Sequence, residues 1–348
     1  MSIWSISFAY RLGLAFHAMN NEGAEGSNLM QPRRIDVGGI TYDGISGEII
    51  RHHILRNYVN ICRDRNIPML PMSEGLHPDR GPIGIRAAAK ALGHQELTSD
   101  ALFPSVRKAI ELCAVLDIGG YLAAWKDQAD GGQQKEYVAE KAYIDAHCAK
   151  CKDANPVKRD SCFDVAWLIS EAPQDLTITQ HSAFRDTFEL NSRYAQTMRS
   201  NVYAGVIRVD LHRVGMDDYW YLQVNAERLA IDPEEQRKRQ LALVSAVVDF
   251  IAAPKGAKEA AWAPHVFLIE GVTLLTSTRT APFVSPIRVN LEDADRPVRP
   301  DAEYAEKMTR LAEARGDTKD AWAWTFEDAK QLMAIPGFVE AKLVRGEK

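Results

Sequence analysis

The chain has 348 residues, 46% of them hydrophobic and 26% charged, with a formal net charge of −5. These values exclude a disordered or fibrous protein and fit one large domain or two ordinary ones. No apolar run reaches the roughly 18 residues that a membrane-spanning helix needs, and the acidic balance excludes a uniformly basic nucleic-acid coater, so any arginines that hold phosphate must gather in one groove.

Residues 2–18 alternate, with Ile3, Ile6, Phe8, Leu12, Leu14 and Phe16 among the apolar positions, and predict a first strand. No basic segment precedes an apolar block there, so no signal peptide is read and a cytoplasmic location is expected. Residues 20–47 are rich in Gly, Asn and Ser and read as a long loop or extended excursion. A helix is predicted over 46–63. Ser46 caps it, Glu48 favours its first turn, and Ile50, Ile54, Leu55, Tyr58, Val59 and Cys62 form one apolar stripe. His52, Arg56 and Arg63 lie on the other side. Residues 66–84 read as loop, 85–92 and 103–114 as short helices, and 121–147 as an inserted segment broken at Gly131-Gly132.

A strand follows over 163–170, then a polar hairpin over 171–200 and a strand over 202–211. Asp232 and Pro233 open a helix over 232–252. A strand over 265–276 and two or three helices from 301 to 348 complete the chain. No solenoid repeat is present. This order fits an α+β fold of ferredoxin-like type with large insertions.

The five cysteines are an odd count, which argues against a disulfide framework. Cys148 and Cys151 have the spacing of half a structural zinc site, and Cys162 supplies a third thiol. His147, Asp160 and His181 are alternatives for a fourth ligand, and three unligated thiols are the competing reading. No nucleophile elbow, P-loop, His-Glu-x-x-His or dinucleotide fingerprint occurs, so no enzyme is expected.

Two stretches, Asn20-Asn21-Glu22-Gly23-Ala24-Glu25-Gly26-Ser27 and Asp43-Gly44-Ile45-Ser46-Gly47-Glu48-Ile49-Ile50-Arg51-His52-His53, stand in tandem. Together they resemble the DevR family of CRISPR-associated proteins, the Cas-seven-type backbone subunits of type I effector complexes in the RAMP superfamily. Residues Cys113 to Tyr121 are similar to a third family segment, with Leu116 where the family often has a second cysteine. The resemblance is strongest over 1–122 and weaker over 163–292.

That resemblance implies an RRM-like palm over 1–122 and 163–292. The palm carries the excursion at 20–47 and a β-hairpin thumb at about 171–203. A fingers-like inserted lobe would fill 123–162, where some relatives carry zinc, and a C-terminal helical segment 293–348. It implies a non-catalytic subunit whose partners are guide CRISPR RNA (crRNA), other copies of itself stacked head to tail, other effector subunits, and target DNA through guide pairing. The alternatives are a metal-dependent ribonuclease of type III-like complexes, for which Asp36, Asp43 and His52 come into question, and a stand-alone RNA-binding regulator.

The bend through Gly44, Ser46 and Gly47 suits phosphate, because a helix N-terminus offers N–H groups and a favourable dipole. Arg33, Arg34, Arg51, His52 and Arg56 supply nearby charge. The competing reading is an ordinary capped helix. Asn20 and Asn21 are candidates to wrap RNA or to meet a neighbouring subunit. In the thumb, Gln196 and Arg199 are candidate contacts and Met198 a wedge between bases.

Overall fold

The computed structural model describes residues 3–19, 29–30, 33–124, 138–151, 154–174, 176–183, 192–256, 263–314 and 321–344. In chain order its strands and helices are β1 (Ser5–His17), β2 (Leu29–Met30), β3 (Arg34–Val37), β4 (Ile40–Ile45), α1 (Gly47–Asp64), α2 (Pro71–Glu74), α3 (Arg80–Ala91), β5 (Glu96–Leu97), α4 (Ser99–Leu112), α5 (Ala114–Gly119), β6 (Tyr121–Ala123) and α6 (Val138–His147). Then come β7 (Lys150–Cys151), β8 (Val157–Arg159), β9 (Phe163–Val165), β10 (Leu168–Pro173), β11 (Leu176–Ala183), β12 (Ser192–Val209), α7 (Pro233–Ala252), β13 (His265–Thr276), β14 (Ile287–Val289), β15 (Val298–Pro300), α8 (Tyr304–Ala314), β16 (Ala321–Phe326), α9 (Ala329–Met333) and α10 (Ile335–Val344). The fold is α+β, as expected. Two compact units divide it, one of Met1–Ile54, Asp164–Val209 and Ser245–Lys348, the other of Leu55–Phe163 and Asp210–Val244.

The first unit is built on a large, mostly antiparallel sheet in the order β16-β13-β1-β12-β10-β4-β3, with β2, β9 and β11 also pairing along β12. β1 is central and buried on both faces. Ile6, Phe8, Leu12 and Leu14 fill one face, and Ser5, Ser7 and Ala9 lie on the other. The hydroxyls of Ser5 and Ser7 donate to the carbonyls of Thr278 and Pro282, at 2.7 and 2.6 Å, so their burial leaves no orphaned group. Ala9, Val272 and Leu274 pack beneath Tyr304, Met308 and Ala312 of α8. Each such side chain taken out of water stabilises by about 1.5–3 kcal/mol when large.

Part of the predicted excursion at 20–47 is ordered sheet. β3 and β4 form a hairpin whose turn is Gly38-Gly39, with φ of 58° and 81°. Positive φ at both central residues is the tight turn that matches strand twist, and it calls for glycine. The predicted hairpin and the predicted strand over 202–211 share one continuous strand, β12. Its first part pairs with β11 from Ala183↔Ser192 to Leu176↔Arg199, and its second part pairs with β1.

The C-terminal segment is not wholly helical. Ala321-Trp322-Ala323-Trp324 alternates small and large residues, and β16 adds to the outer border of β13. The helix predicted over 103–114 begins earlier, at Ser99, and carries Pro104 inside it. Proline removes one helical hydrogen bond there without ending the helix. The predicted loop at 66–84 contains α2 and the start of α3.

The second unit gathers α2 to α6 with two short ladders, β5–β7 and β6–β8. At its centre Asp117 is fully buried. Its carboxylate accepts from Arg159 Nη2, from Arg239 Nη1 at 3.1 Å and from the Gly215 amide at 2.9 Å. Arg239 also donates to the carbonyls of Ile110 and Glu111, at 2.7 and 3.0 Å, and to Glu235 at 2.8 Å. Arg159 Nε donates to the Asp117 carbonyl at 2.8 Å. The segment from Cys113 to Tyr121 is therefore organised around a buried ionic knot.

Candidate nucleic-acid interface

The β4–α1 junction forms as the sequence predicts. Ser46 Oγ accepts from the Ile49 amide at 3.4 Å, its carbonyl from the Ile50 amide at 3.2 Å, and α1 starts at Gly47. The two glycines also make room for a neighbouring segment. A Cβ on Gly44 would stand 3.0 Å from Ile35 Cδ1 and 3.1 Å from Trp167 Cε3, and one on Gly47 would stand 3.2 Å from the Val165 carbonyl. Residues 164–167 thus lie across the bend, and the absent Cβ atoms make room for them.

Arginines surround this crossing segment. The Arg33 guanidinium lies 5.5 Å from the Trp167 ring centroid, a cation–π distance, and its Nη2 is 3.8 Å from Glu48. Trp167 keeps 36% of its surface exposed. Arg34 is exposed on β3, in register with Asp43. Arg208 Nη2 donates to Asp164 Oδ2. Arg51, one helical turn beyond Gly47, is half-buried; burial lowers its pKa from the ordinary value while Asp164 opposes the shift. Arg33, Arg51 and Arg208, strung along the 164–167 segment with Trp167, can hold phosphates through guanidinium groups and a base through the indole, while Arg34 belongs to the opposite, Asp43 face of the hairpin.

Trp167 and Arg208 escaped sequence reasoning because both sit in segments whose alternation reads as ordinary strand. The usable signal was a tryptophan three residues after an acid, Asp164-Val165-Ala166-Trp167, in a segment otherwise destined for the core.

The remaining predicted residues are placed variously. His52 is exposed, stacks edge-on against His53 at 5.2 Å, and lines a depression of about 380 Å³ with Glu48, Ile49, His53 and Gly256. Arg56 donates to the Glu74 carbonyl at 3.4 Å. Met198 is half-buried. Gln196 pairs with Thr179 through the backbone, its side chain lying outside the described residues, as do Asn20 and Asn21.

Arg199 is corrected outright. Expected on an exposed thumb, it is 2% exposed and donates through Nη1 to Asp43 Oδ1. The Tyr203 hydroxyl donates to Asp43 Oδ2, and the Asp43 amide donates to Ser170 Oγ at 2.9 Å. Burial pushes the Asp43 pKa up, while Arg199 and Tyr203 pull it down. With both oxygens occupied inside the fold, Asp43 is not presented to a metal or to RNA, which removes one of the three residues weighed for metal-dependent cleavage.

His17 completes this buried chain. Its Nδ1 accepts from the Met19 amide at 3.4 Å, which leaves Nε2 to carry the proton and donate to the Tyr203 hydroxyl at 2.9 Å. Burial, and then the Arg199 charge, push its pKa down from 6.5 to about 3. A folded pKa below the unfolded one means stability is complete above the unfolded value. It is lost as the pH falls from about 6.5 toward 3, at up to about 1.4 kcal/mol per pH unit. His17→Gln is expected to flatten this limb by that slope in urea melts between pH 7 and pH 4.5. Identical slopes in the two proteins would show that His17 does not carry the effect.

The cysteines do not assemble a tetrahedral donor set. Cys148 Sγ is 3.5 Å from the Ile83 carbonyl and Cys162 Sγ is 3.5 Å from the Asp117 carbonyl. Burial raises both thiol pKa values, that of Cys162 to about 12. Cys151 pairs through β7 with Leu97, and the His147 ring stacks on Tyr143 at 4.7 Å. Among the described residues no three His, Cys, Asp or Glu side chains group as metal ligands. No helix is long and apolar enough to cross a membrane, among the described residues.

A sequence profile described as "CRISPR-associated negative auto-regulator DevR/Csa2" matches residues 8–294. A solved chain titled "CRISPR RNA-guided surveillance complex, pre-nicking" has a TM-score of 0.50 at 12% identity, covering 98% of this chain and 99% of that one. A second, titled "CRISPR RNA-guided surveillance complex", has a TM-score of 0.47 at 11% identity, with 98% and 99% covered. At such identities the likeness is one of fold. No curated protein sequence matches the chain.

Proposed function

The chain belongs to the CRISPR-associated DevR/Csa2 family, and from that premise we propose that it is a backbone subunit of a Cascade-type effector complex. In this reading it grips crRNA along the phosphate chain, stacks head to tail with further copies, and presents the guide for pairing with target DNA. It works beside other effector subunits in the cytoplasm and needs no catalytic group.

The observation that carries this reading is the gathering of Arg33, Arg51 and Arg208 along the segment that bears Trp167. It offers charge and a stacking face together, and neither reads base sequence. The succession β1, α1, β10, β12, α7, β13 with sheet order β13-β1-β12-β10 supports an RRM-like palm. The β11–β12 hairpin is the thumb in this reading. Its base is fastened to the palm by the Asp43–Arg199 pair, so Arg199 holds the thumb without touching RNA.

The test is to purify the protein from a host that makes a processed guide transcript and to sequence any nucleic acid that comes with it. Guide-length RNA in a large particle is expected, shrinking to a nucleotide-free species after ribonuclease and high salt. A protein that emerges alone, and ignores added guide, would refute the proposal.

A further inference from the structure

Within the arginine patch stands an acid that the RNA-binding reading does not use. Asp164 pairs with Arg208, and the two side chains are 59% and 34% exposed. The next residue, Val165, presents its carbonyl to the Gly47 position at the start of α1. Arg51 follows Gly47 by one turn, so it rises on the same side of the helix. Three residues on from Asp164, Trp167 lies under Arg33. The carboxylate therefore sits among guanidinium groups, on the segment that crosses the bend.

To an arginine, a carboxylate and a phosphodiester present the same features: two adjacent oxygens sharing about one negative charge. We propose that Asp164 is an internal stand-in for a guide phosphate, seated on Arg208 in the RNA-free protein and displaced when the RNA chain arrives. This rests on the RNA-binding reading above and deepens it.

An ion pair this open to water is weak and exchanges readily. Its presence lowers the attraction of the patch for stray polyanions, while a long guide that engages several subunits at once still displaces it. Asp164 thus tunes selectivity by making every short contact an exchange of anions rather than a simple gain.

The experiment measures anisotropy of labelled guide-length single-stranded RNA with the wild type, Asp164→Asn, Arg208→Gln and the double variant. The Asp164→Asn protein is expected to bind about 3- to 10-fold more tightly at low salt, with the gain shrinking as salt rises. Arg208→Gln is expected to weaken binding, and the double variant to match Arg208→Gln alone. Equal or weaker binding by Asp164→Asn would overturn the proposal, since the acid would then be orienting the arginines. A gain that persists in the double variant would also overturn it, because Arg208 would not be the contested seat. Asp164→Ser serves as a second variant, and thermal unfolding checks that each protein is folded. A wild type that binds no RNA at any salt defeats the parent reading, whereas a wild type that binds RNA while Asp164→Asn shows no gain defeats only this one.

Discussion

With Arg33 and Arg208 both changed to glutamate, guide-length RNA is expected to bind about 100-fold more weakly. The change alters the local charge by four units where, in this reading, phosphate is held, and each unit contributes about 0.7 kcal/mol across roughly 6 Å of water. The salt dependence carries an independent signature. Losing two phosphate contacts on a single strand should flatten the slope of log K against log salt by about 1.4. Trp167→Ala should weaken binding by about 1–3 kcal/mol, the range for one stacked base, and leave that slope unchanged. Arg33 and Arg208 suit this test better than Arg51, whose pKa is already lowered by burial. Titrations that give the double-glutamate protein the affinity and salt slope of the wild type would take the patch out of the RNA path.

Replacing Asp117 by alanine is expected to cost about 3–5 kcal/mol of stability, the range for a buried ion pair that loses one partner. The reason is the company it keeps. Arg159 and Arg239 are both buried and converge on this one carboxylate, whose second oxygen also accepts the Gly215 amide. Removing it takes away the carboxylate that two buried guanidinium groups share, and leaves Arg239 with Glu235 alone and Arg159 with the half-exposed Asp218. Asp117→Asn keeps one acceptor oxygen, loses the charge and turns the other oxygen into an NH2 facing N–H donors, so it should fall between. Urea unfolding at neutral pH reads both variants, and midpoints equal to the wild type would show the knot to be idle.

Much of the scaffold was legible because its signals are local. The capped α1 and its stripe from Ile50 to Cys62, the alternation of β1, and the Asp232-Pro233 opening of α7 each depend on neighbours within a few residues. The β3–β4 hairpin was also local, since Val37-Gly38-Gly39-Ile40 carries its turn in plain view, but the polar residues around it read as loop. What stayed hidden depends on distance along the chain. Arg199 looks like a solvated thumb arginine until Asp43, 156 residues away, is folded against it. Trp167 becomes a stacking face only once β3 brings Arg33 over it. The Cys148–Cys151 spacing, with Cys162 as a third thiol, is local, but the carbonyls of Ile83 and Asp117 that lie against Cys148 and Cys162 come from remote segments. Periodicity reports which side of an element is apolar. It does not report which polar group waits on the other side.

β16 has a bearing on how copies coexist in a crowded cell. The span matched by the family profile stops at residue 294, before this strand. A shorter chain ending there would leave the stretch of β13 that β16 covers, Gly271 to Thr276, as an open row of amides and carbonyls. It would also uncover Val272 and Leu274, which lie beneath Met308. Proteins that accumulate at high local density on one strand of RNA run the greatest danger of zipping together flank to flank. The tail works as a selvedge, a finished margin that keeps the fabric from unravelling into sheets of its own kind.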